Sequence, residues 1–382
     1  MADGKKGGTA GMRRILLLWL IAILPLSGCN YHNELKNLQL IYATSLDMND
    51  KNEIVTTVTI QTPGGKERSA PVHEVLSATG PTLQESLFKK IGMQIAGPIG
   101  TSKNQVMLIG EKLARKDLTE ILDSTFRNSN DPMLAKVAIV RGNASGLIRL
   151  DRIGSATAGE YLRKILKSAK YETAIPSVTL HSLYPVLHDQ GRDSVIPLIS
   201  RLKDKAVVDG VALMNQRKYT GYFLTPEQSS LFLLMSGLKG NICVITRNME
   251  ESGSKNDPSQ YLSLNILKLK RNKHVWVDAE GQIRVQLHLK MKASVVEYTK
   301  DDLADKQKII QLNKHFSELL THEAQDICKL LLRSRSDAFG IGRDIMAFYP
   351  NEWKRMNWET VYPETDFQVS TEVDIVSHGI IN

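Results

Sequence analysis

The hydrophobic and polar positions of this chain fall into one short unbroken apolar run, followed by a series of alternating and helix-periodic segments. The run is Ile15 to Leu24, ten residues, preceded by Lys5, Lys6, Arg13 and Arg14 and stopped by Pro25. Ten helical residues span about 15 Å, against about 30 Å for a bilayer core. The run is therefore too short to cross a membrane and has the dimensions of a secretory leader. No later segment reaches 18 consecutive apolar residues.

After a polar stretch (residues 30–37), Leu38–Asp47 and Glu53–Thr62 alternate and are rich in β-branched residues around the polar turn 48–52, which predicts a hairpin. Residues 63–81, with Pro, Gly and charges, read as a loop. Thr82 with Glu85 predicts a capping box for a helix carrying Leu83, Leu87 and Ile91. Strands are expected at Gln105–Gly110 and Ala135–Arg141, and helices at Glu111–Arg127 and Ser155–Tyr171. Ile196–Lys205 reads as a bridge to a second region. There, Ala206–Met214 and Tyr219–Phe223 suggest a hairpin, and Thr225-Pro226 starts a helix to Ser236. Strand patterns at Asn241–Thr246, Tyr261–Lys270, His274–Val277 and Ile283–Val296 suggest an antiparallel meander. Asp301–Arg335 is the longest helical pattern, with Ile309, Leu312, Phe316, Leu319, Leu320, Ile327 and Leu331 in its stripe. A helix over Gly342–Tyr349 and a strand over Phe367–Val376 complete the reading. The fold class is α+β, with about three subdomains, antiparallel or mixed sheets and a long helix at 301–335. The expected division is a leader (1–28), an N-terminal region (30–195) and a C-terminal region (205–382).

Composition is that of an ordinary globular chain, 42% hydrophobic and 24% charged over 382 residues. The formal charge is +8, of which the leader holds +3 (four basic residues against Asp3) and the remainder +5. A dispersed surplus of that size suits an anionic membrane surface better than nucleic acid. There is no arginine-rich arm and no basic run interleaved with aromatics, so nucleic-acid binding is not expected.

Catalytic and metal-binding patterns are missing. His322-Glu323 begins like a zinc-protease motif but lacks its second histidine. Gly340-Ile341-Gly342 begins like a dinucleotide fingerprint but follows a helical pattern and lacks the third glycine. No C-x-x-C, nucleophile elbow or P-loop occurs. Cys243 and Cys328 sit in apolar patterns and read as small buried hydrophobes, and their pairing is not decided by the sequence. No enzyme, metal or dissociable cofactor is expected. The body is expected to be a monomer by itself.

Leu26-Ser27-Gly28-Cys29, directly after the apolar run, resembles the lipobox of bacterial lipoproteins. The resemblance implies cleavage before Cys29 and a diacylglyceryl group on its thiol. Two acyl chains, at about 0.8 kcal/mol per buried methylene, anchor durably where one is marginal.

The C-terminal part carries a second resemblance. Asp337-Ala338-Phe339-Gly340-Ile341-Gly342-Arg343 is followed by Tyr349-Pro350-Asn351-Glu352-Trp353, then Trp358, then an acidic alternating strand. This order resembles the ending of the Ger(x)C family, the C subunits of nutrient germinant receptors in spore-forming bacteria. Asp209-Gly210-Val211-Ala212-Leu213 with Gly221-Tyr222, and Glu111-Lys112-Leu113-Ala114, match further family stretches. Two departures stand out: Asn30, Tyr31 and His32 replace the usual residues after the cysteine, and Thr101-Ser102-Lys103 stand where members often carry histidine. The family implies a three-domain α+β lipoprotein on the outer face of the spore inner membrane, partnered with integral A and B subunits. A solute-binding lipoprotein of a transporter and a cell-envelope hydrolase are the other readings. The first of these would need two similar doubly wound lobes. From the residues alone, Gly340 and Gly342 are expected to form a tight turn. Phe339, Tyr349, Trp353 and Trp358 are expected to bury against the sheet, some of them open to partner contact. Arg343 is expected in a local salt bridge.

Overall fold

The computed structural model describes residues 38–62, 72–128, 131–150, 156–250, 257–300 and 303–378. The leader, Leu26, Ser27, Gly28, Cys29, and Asp301 with Asp302 lie outside the described residues. Among the described residues the strands make two sheets, and the fold is α+β as expected.

The first sheet has the order β3-β2-β1-β5-β6-β7-β8-β9. These strands are β1 (Gln39–Met48), β2 (Ile54–Thr62), β3 (Val72–Gly80), β5 (Val106–Gly110), β6 (Lys136–Val140), β7 (Val195–Leu202), β8 (Lys205–Asn215) and β9 (Lys218–Leu224), while the two-residue β4 (Ile99–Gly100) joins β1 from the side. β1, β5, β6 and β7 are parallel neighbours, and the flanking hairpins are antiparallel. Both faces are covered, which is why β5 and β6 read as nearly continuous hydrophobic runs. Val106, Leu108, Ala138 and Val140 enter one core, and Met107, Ile109, Val137 and Ile139 the other. Helices α2 (Glu111–Ala114), α3 (Leu118–Arg127) and α6 (Leu180–Leu187) supply the second core, as does the wide, π-type helix α1 (Gln84–Ile91). Helices α4 (Ser145–Ile148), α5 (Ala158–Tyr171) and α7 (Pro226–Met235) supply the first.

The second sheet has the order β10-β11-β12-β13: Val244–Asn248, Tyr261–Val277, Ile283–Glu297 and Asp366–Ser377. One face packs on α8 (Lys306–Arg333), whose Leu312, Phe316, Leu320, Ala324, Ile327 and Leu331 are buried at helical spacing. Helix α8 also covers the free edge of β13. The backbone N–H groups of Thr371, Val373 and Ile375 donate to Thr321 Oγ1 (3.0 Å), Ser317 Oγ (2.9 Å) and Asn313 Oδ1 (3.0 Å). Four helical residues rise about 6 Å and two strand residues about 6.6 Å, so a polar stripe at every fourth helix position matches every second strand N–H. An edge that would otherwise template aggregation is closed.

Several expectations are corrected. Residues 72–80 are the edge strand β3, not loop, because they pair antiparallel along the whole of β2. The helix expected over 111–127 is two, because Asp117 caps a new start by accepting from Thr119 N at 2.8 Å. Helix α6, capped by Thr179 and Ser182, was not expected. The bridge at 196–205 is strand β7, and it hydrogen-bonds to both β6 and β8. One strand, β11, runs through the polar gap at 271–273, because Lys273 faces Asp344 and forms an ion pair with it. The meander is antiparallel only to β12; β13 runs parallel to it. The long helix begins at Lys306, with Asp305 accepting from Gln307 N. The two sheets differ in strand number and order, so among the described residues there is no pair of similar lobes.

Candidate functional site

The C-terminal motif starts where α8 stops. Arg335 turns the chain with φ +54°, and Ser336 N donates back to Leu331 O. Asp337 then ends its run of chain with a buried carboxylate. Its two oxygens accept from Ile341 N and Gly342 N, each at 2.8 Å, and so cap the start of α9 (Ile341–Phe348). The reach is possible because Gly340 sits at φ +68°, a left-handed conformation that a side chain would strain. Phe339 fills the core beneath, stacked on Phe232 with ring centroids 5.2 Å apart.

A loop of the N-terminal region, 188–193, clamps this motif. Asp193 N donates to Asp337 O at 2.9 Å, and Asp337 N donates to Asp193 Oδ2 at 2.7 Å. The other oxygen of Asp193 accepts from Gln216 N in the β8–β9 turn. Arg343 forms an ion pair with the buried Asp189, and Arg343 N donates to Gly191 O at 2.9 Å. Gly191 and Gly342 meet backbone to backbone. A Cβ on Gly342 would stand 2.8 Å from Gly191 Cα, and one on Gly191 would stand 2.6 Å from Arg343 N. Gly342 therefore serves close approach, and the tight turn belongs to Gly340. Tyr362 is buried and donates from its hydroxyl to Ser336 O at 2.7 Å, while Asn215 Nδ2 donates to Arg335 O at 2.9 Å.

The aromatics form a ladder over the clamp. Trp353 contacts Trp358 (5.4 Å between centroids), and Trp358 contacts Tyr362 (5.5 Å). Trp353 follows Pro350, the first residue of α10 (Pro350–Arg355), and Trp358 opens α11 (Trp358–Val361). Tyr349, Trp353 and Trp358 are half-buried against the core, and Phe348 beside them is exposed. A cavity of about 410 Å³ opens between the clamp and these rings, lined by Asp189, Arg192, Asp193, Arg335, Trp358 and Glu359 among others.

Burial pushes the Asp193 and Asp337 carboxyls up to about 7 against the pull of their backbone N–H donors; the charges of Glu359 and Asp189 add to the rise at Asp193, and that of Asp193 to the rise at Asp337. Burial also raises the Tyr362 hydroxyl well above its ordinary range. These groups are held for structure: their hydrogen bonds go to backbone, and no nucleophile–base pair is among them. Among the described residues no group of side chains could hold a metal ion. Cys243 and Cys328 are free and buried. His322 is on the surface of α8, and Glu323 holds Arg247 through two bonds of 2.7 and 2.8 Å. Thr101 donates to the buried Asp131, so this position is an internal hydrogen bond.

The sequence reading placed Asp337, Phe339, Gly340, Gly342, Arg343, Tyr349, Pro350, Trp353 and Trp358 in one motif, and the fold does bring them together. It missed Asp189, Gly191, Asp193 and Tyr362. Asp189-Gln190-Gly191-Arg192-Asp193 carries only the composition of a turn, and its partner lies 144 residues away.

Comparisons with known proteins agree over nearly the whole chain. Residues 31–201 match the family described as spore germination protein N-terminal domain, and residues 209–379 the family described as spore germination B3/GerAC like, C-terminal. Spore germination protein GerQC of Bacillus cereus is 24% identical over 366 residues, covering 95% of this chain and 98% of the relative. Spore germination protein KC of Bacillus subtilis (strain 168) is also 24% identical and covers 97% of each chain. The crystal structure of the GerBC protein superposes with a TM-score of 0.58 at 15% identity, covering 87% of this chain and 96% of that one.

Proposed function

The chain belongs to the GerAC-like family of spore germination proteins, and from that premise we propose that it is the lipid-anchored, non-catalytic C subunit of a nutrient germinant receptor. Diacylglyceryl-modified Cys29 holds the body at the outer face of the spore inner membrane. The body then works by contact with the integral A and B subunits, not by turnover. Confinement to a surface raises its effective concentration near those partners, so modest interfaces suffice. The observation that carries the reading is the match of both family regions, 31–201 and 209–379, along one chain. The clamp supports a scaffold: Asp189, Gly191 and Asp193 of the first region are bonded to the motif of the second, which suits a body that transmits contact as one piece. No helix among the described residues is long and apolar enough to cross a membrane, in keeping with attachment by lipid.

The test is Cys29→Ala in the spore-forming host. The expected result is loss of the protein from the membrane fraction and loss of the nutrient response, with germination by non-nutrient stimuli intact. Co-purification of A and B subunits with the wild-type chain is expected as well. Full nutrient response with the chain unlipidated and off the membrane would defeat the proposal.

A further inference from the structure

The end of the first sheet at which β1 begins has an unusual surface. Gln39 opens β1; its N–H donates to Pro98 O at 3.0 Å and its Nε2 to Ala96 O at 3.3 Å. Strands β1, β5 and β6 are parallel, so the segments leading into β5 and β6 lie at this same end. Thr101 of the first segment donates to the buried Asp131 of the second, and Gln105 O accepts from Lys136 N at 2.9 Å. From these two segments protrude Met93, 76% exposed, and Leu134, 80% exposed. They are the two most exposed large hydrophobic side chains among the described residues. Singly, such residues are ordinary on a protein surface. Here they share one end of one sheet, and the loop carrying Met93, Gly92 to Gly100, has no charged residue at all. Its Gln94, Ala96, Gly97 and Pro98 are exposed as well. From Ser86 to Gly110 there is no acidic residue, and the charge nearest the start of β5 is the exposed Lys103.

The length of chain before β1 says what this end meets. Eight residues, 30–37, separate Cys29 from Leu38. Fully extended they keep Leu38 within about 30 Å of an acylated Cys29. A compact body of about 340 residues is about 50 Å across. The β1–β2 turn lies a further ten-residue strand away, about 30 Å. To lay that far turn on the bilayer, the tether would have to stretch fully along the body and lose its conformational freedom. To lay the start of β1 there, it need not stretch. An uncharged loop with protruding apolar side chains suits the boundary between headgroups and acyl chains, and a lysine beside it suits anionic headgroups. We infer that Met93 with the loop 92–100, and Leu134, form the bilayer-contact face of this protein. Met93 and Leu134 enter the headgroup boundary, and Lys103 stays at headgroup level. The inference rests on the lipid anchor proposed above and adds an orientation to it: β1, β5 and β6 run away from the membrane, and the turn at 49–52 points outward.

The test places a nitroxide on the full lipidated chain in vesicles of phosphatidylglycerol and phosphatidylcholine. One thiol is introduced at a time: Met93→Cys, Leu134→Cys and, as the aqueous reference, Lys51→Cys in the far turn. All three positions are exposed, so the substitutions leave the core intact. Cys243 and Cys328 are buried and Cys29 is acylated, so each chain offers one reactive thiol. Flotation with the vesicles reads the anchor, and collision of the nitroxide with oxygen against a water-soluble nickel chelate reads the face. All three chains are expected to float, with an oxygen-to-nickel ratio several-fold higher at 93 and 134 than at 51. Floating chains whose labels at 93 and 134 are as aqueous as the label at 51 overturn the face and leave the anchor standing. Labels at 93 and 134 shielded from oxygen and nickel alike also overturn it, because protein then covers them. A chain that does not float fails at the anchor and takes the orientation with it.

Discussion

At the scale of single residues, the contact between Gly191 and Gly342 has no slack. Gly191→Ala and Gly342→Ala should each destabilise the fold by about 1–3 kcal/mol through overpacking, visible as a lower unfolding midpoint. Gly340→Ala acts differently, through strain at a left-handed position, and should cost about 1 kcal/mol or more. The clamp carboxyls make stability depend on pH. Asp193 and Asp337 titrate near 7 when folded and near 3.8 in their unperturbed state. A raised pKa means the folded chain holds these protons more tightly. The stabilisation is complete below the unfolded value and is lost as pH rises through about 7. Thermal unfolding should therefore show a midpoint that falls between about pH 4 and 7 and levels off above, and Asp337→Asn should flatten that slope while lowering the midpoint overall, since one backbone N–H loses its acceptor. The motif residues were legible because they are close in sequence. Asp189 and Asp193 were not, since a carboxylate in a turn looks the same whether it meets solvent or, after folding, the backbone of a segment far along the chain.

At the scale of elements, local signals succeeded where the element answers to its own residues. Thr225 with Gln228 placed the start of α7, and the apolar stripe placed the buried face of α8. They failed where tertiary pairing decides. Strand β3 has the polarity of a loop and becomes a strand because β2 lends it a ladder. The gap in β11 holds charged residues on the inner face, tolerated because Asp344 of α9 awaits them. The ladder between α8 and β13 makes its own prediction. Ser317→Ala removes the acceptor of Val373 N while changing little volume, and should cost about 1–2 kcal/mol in denaturant unfolding. Asn313→Ala, at the same spacing, should cost a similar amount at Ile375, and the pair should be nearly additive if the rungs act separately.

At the scale of the whole molecule, the two family regions are stitched at one seam by Asp193, and Asp193→Ala should loosen both sides at once. Hydrogen exchange is expected to accelerate together at 188–194, 215–217 and 337–343, while the first sheet stays protected. Exchange confined to 188–194 would show that the seam does not couple the regions. The placement of β13 has a consequence for the order of events in the cell. His288 pairs with Ser370, 82 positions later, in a parallel ladder that also needs α8 laid across it. Under the lipoprotein export that the proposed function entails, N-terminus first, the chain presents β10, β11 and β12 long before their last neighbour arrives. Until residues 366–377 clear the export channel, β12 keeps a bare edge and the inner face lacks its final row of side chains. On the proposed route, completion of this body is timed to the end of secretion, and any docking that requires the finished second sheet begins only once translocation is over.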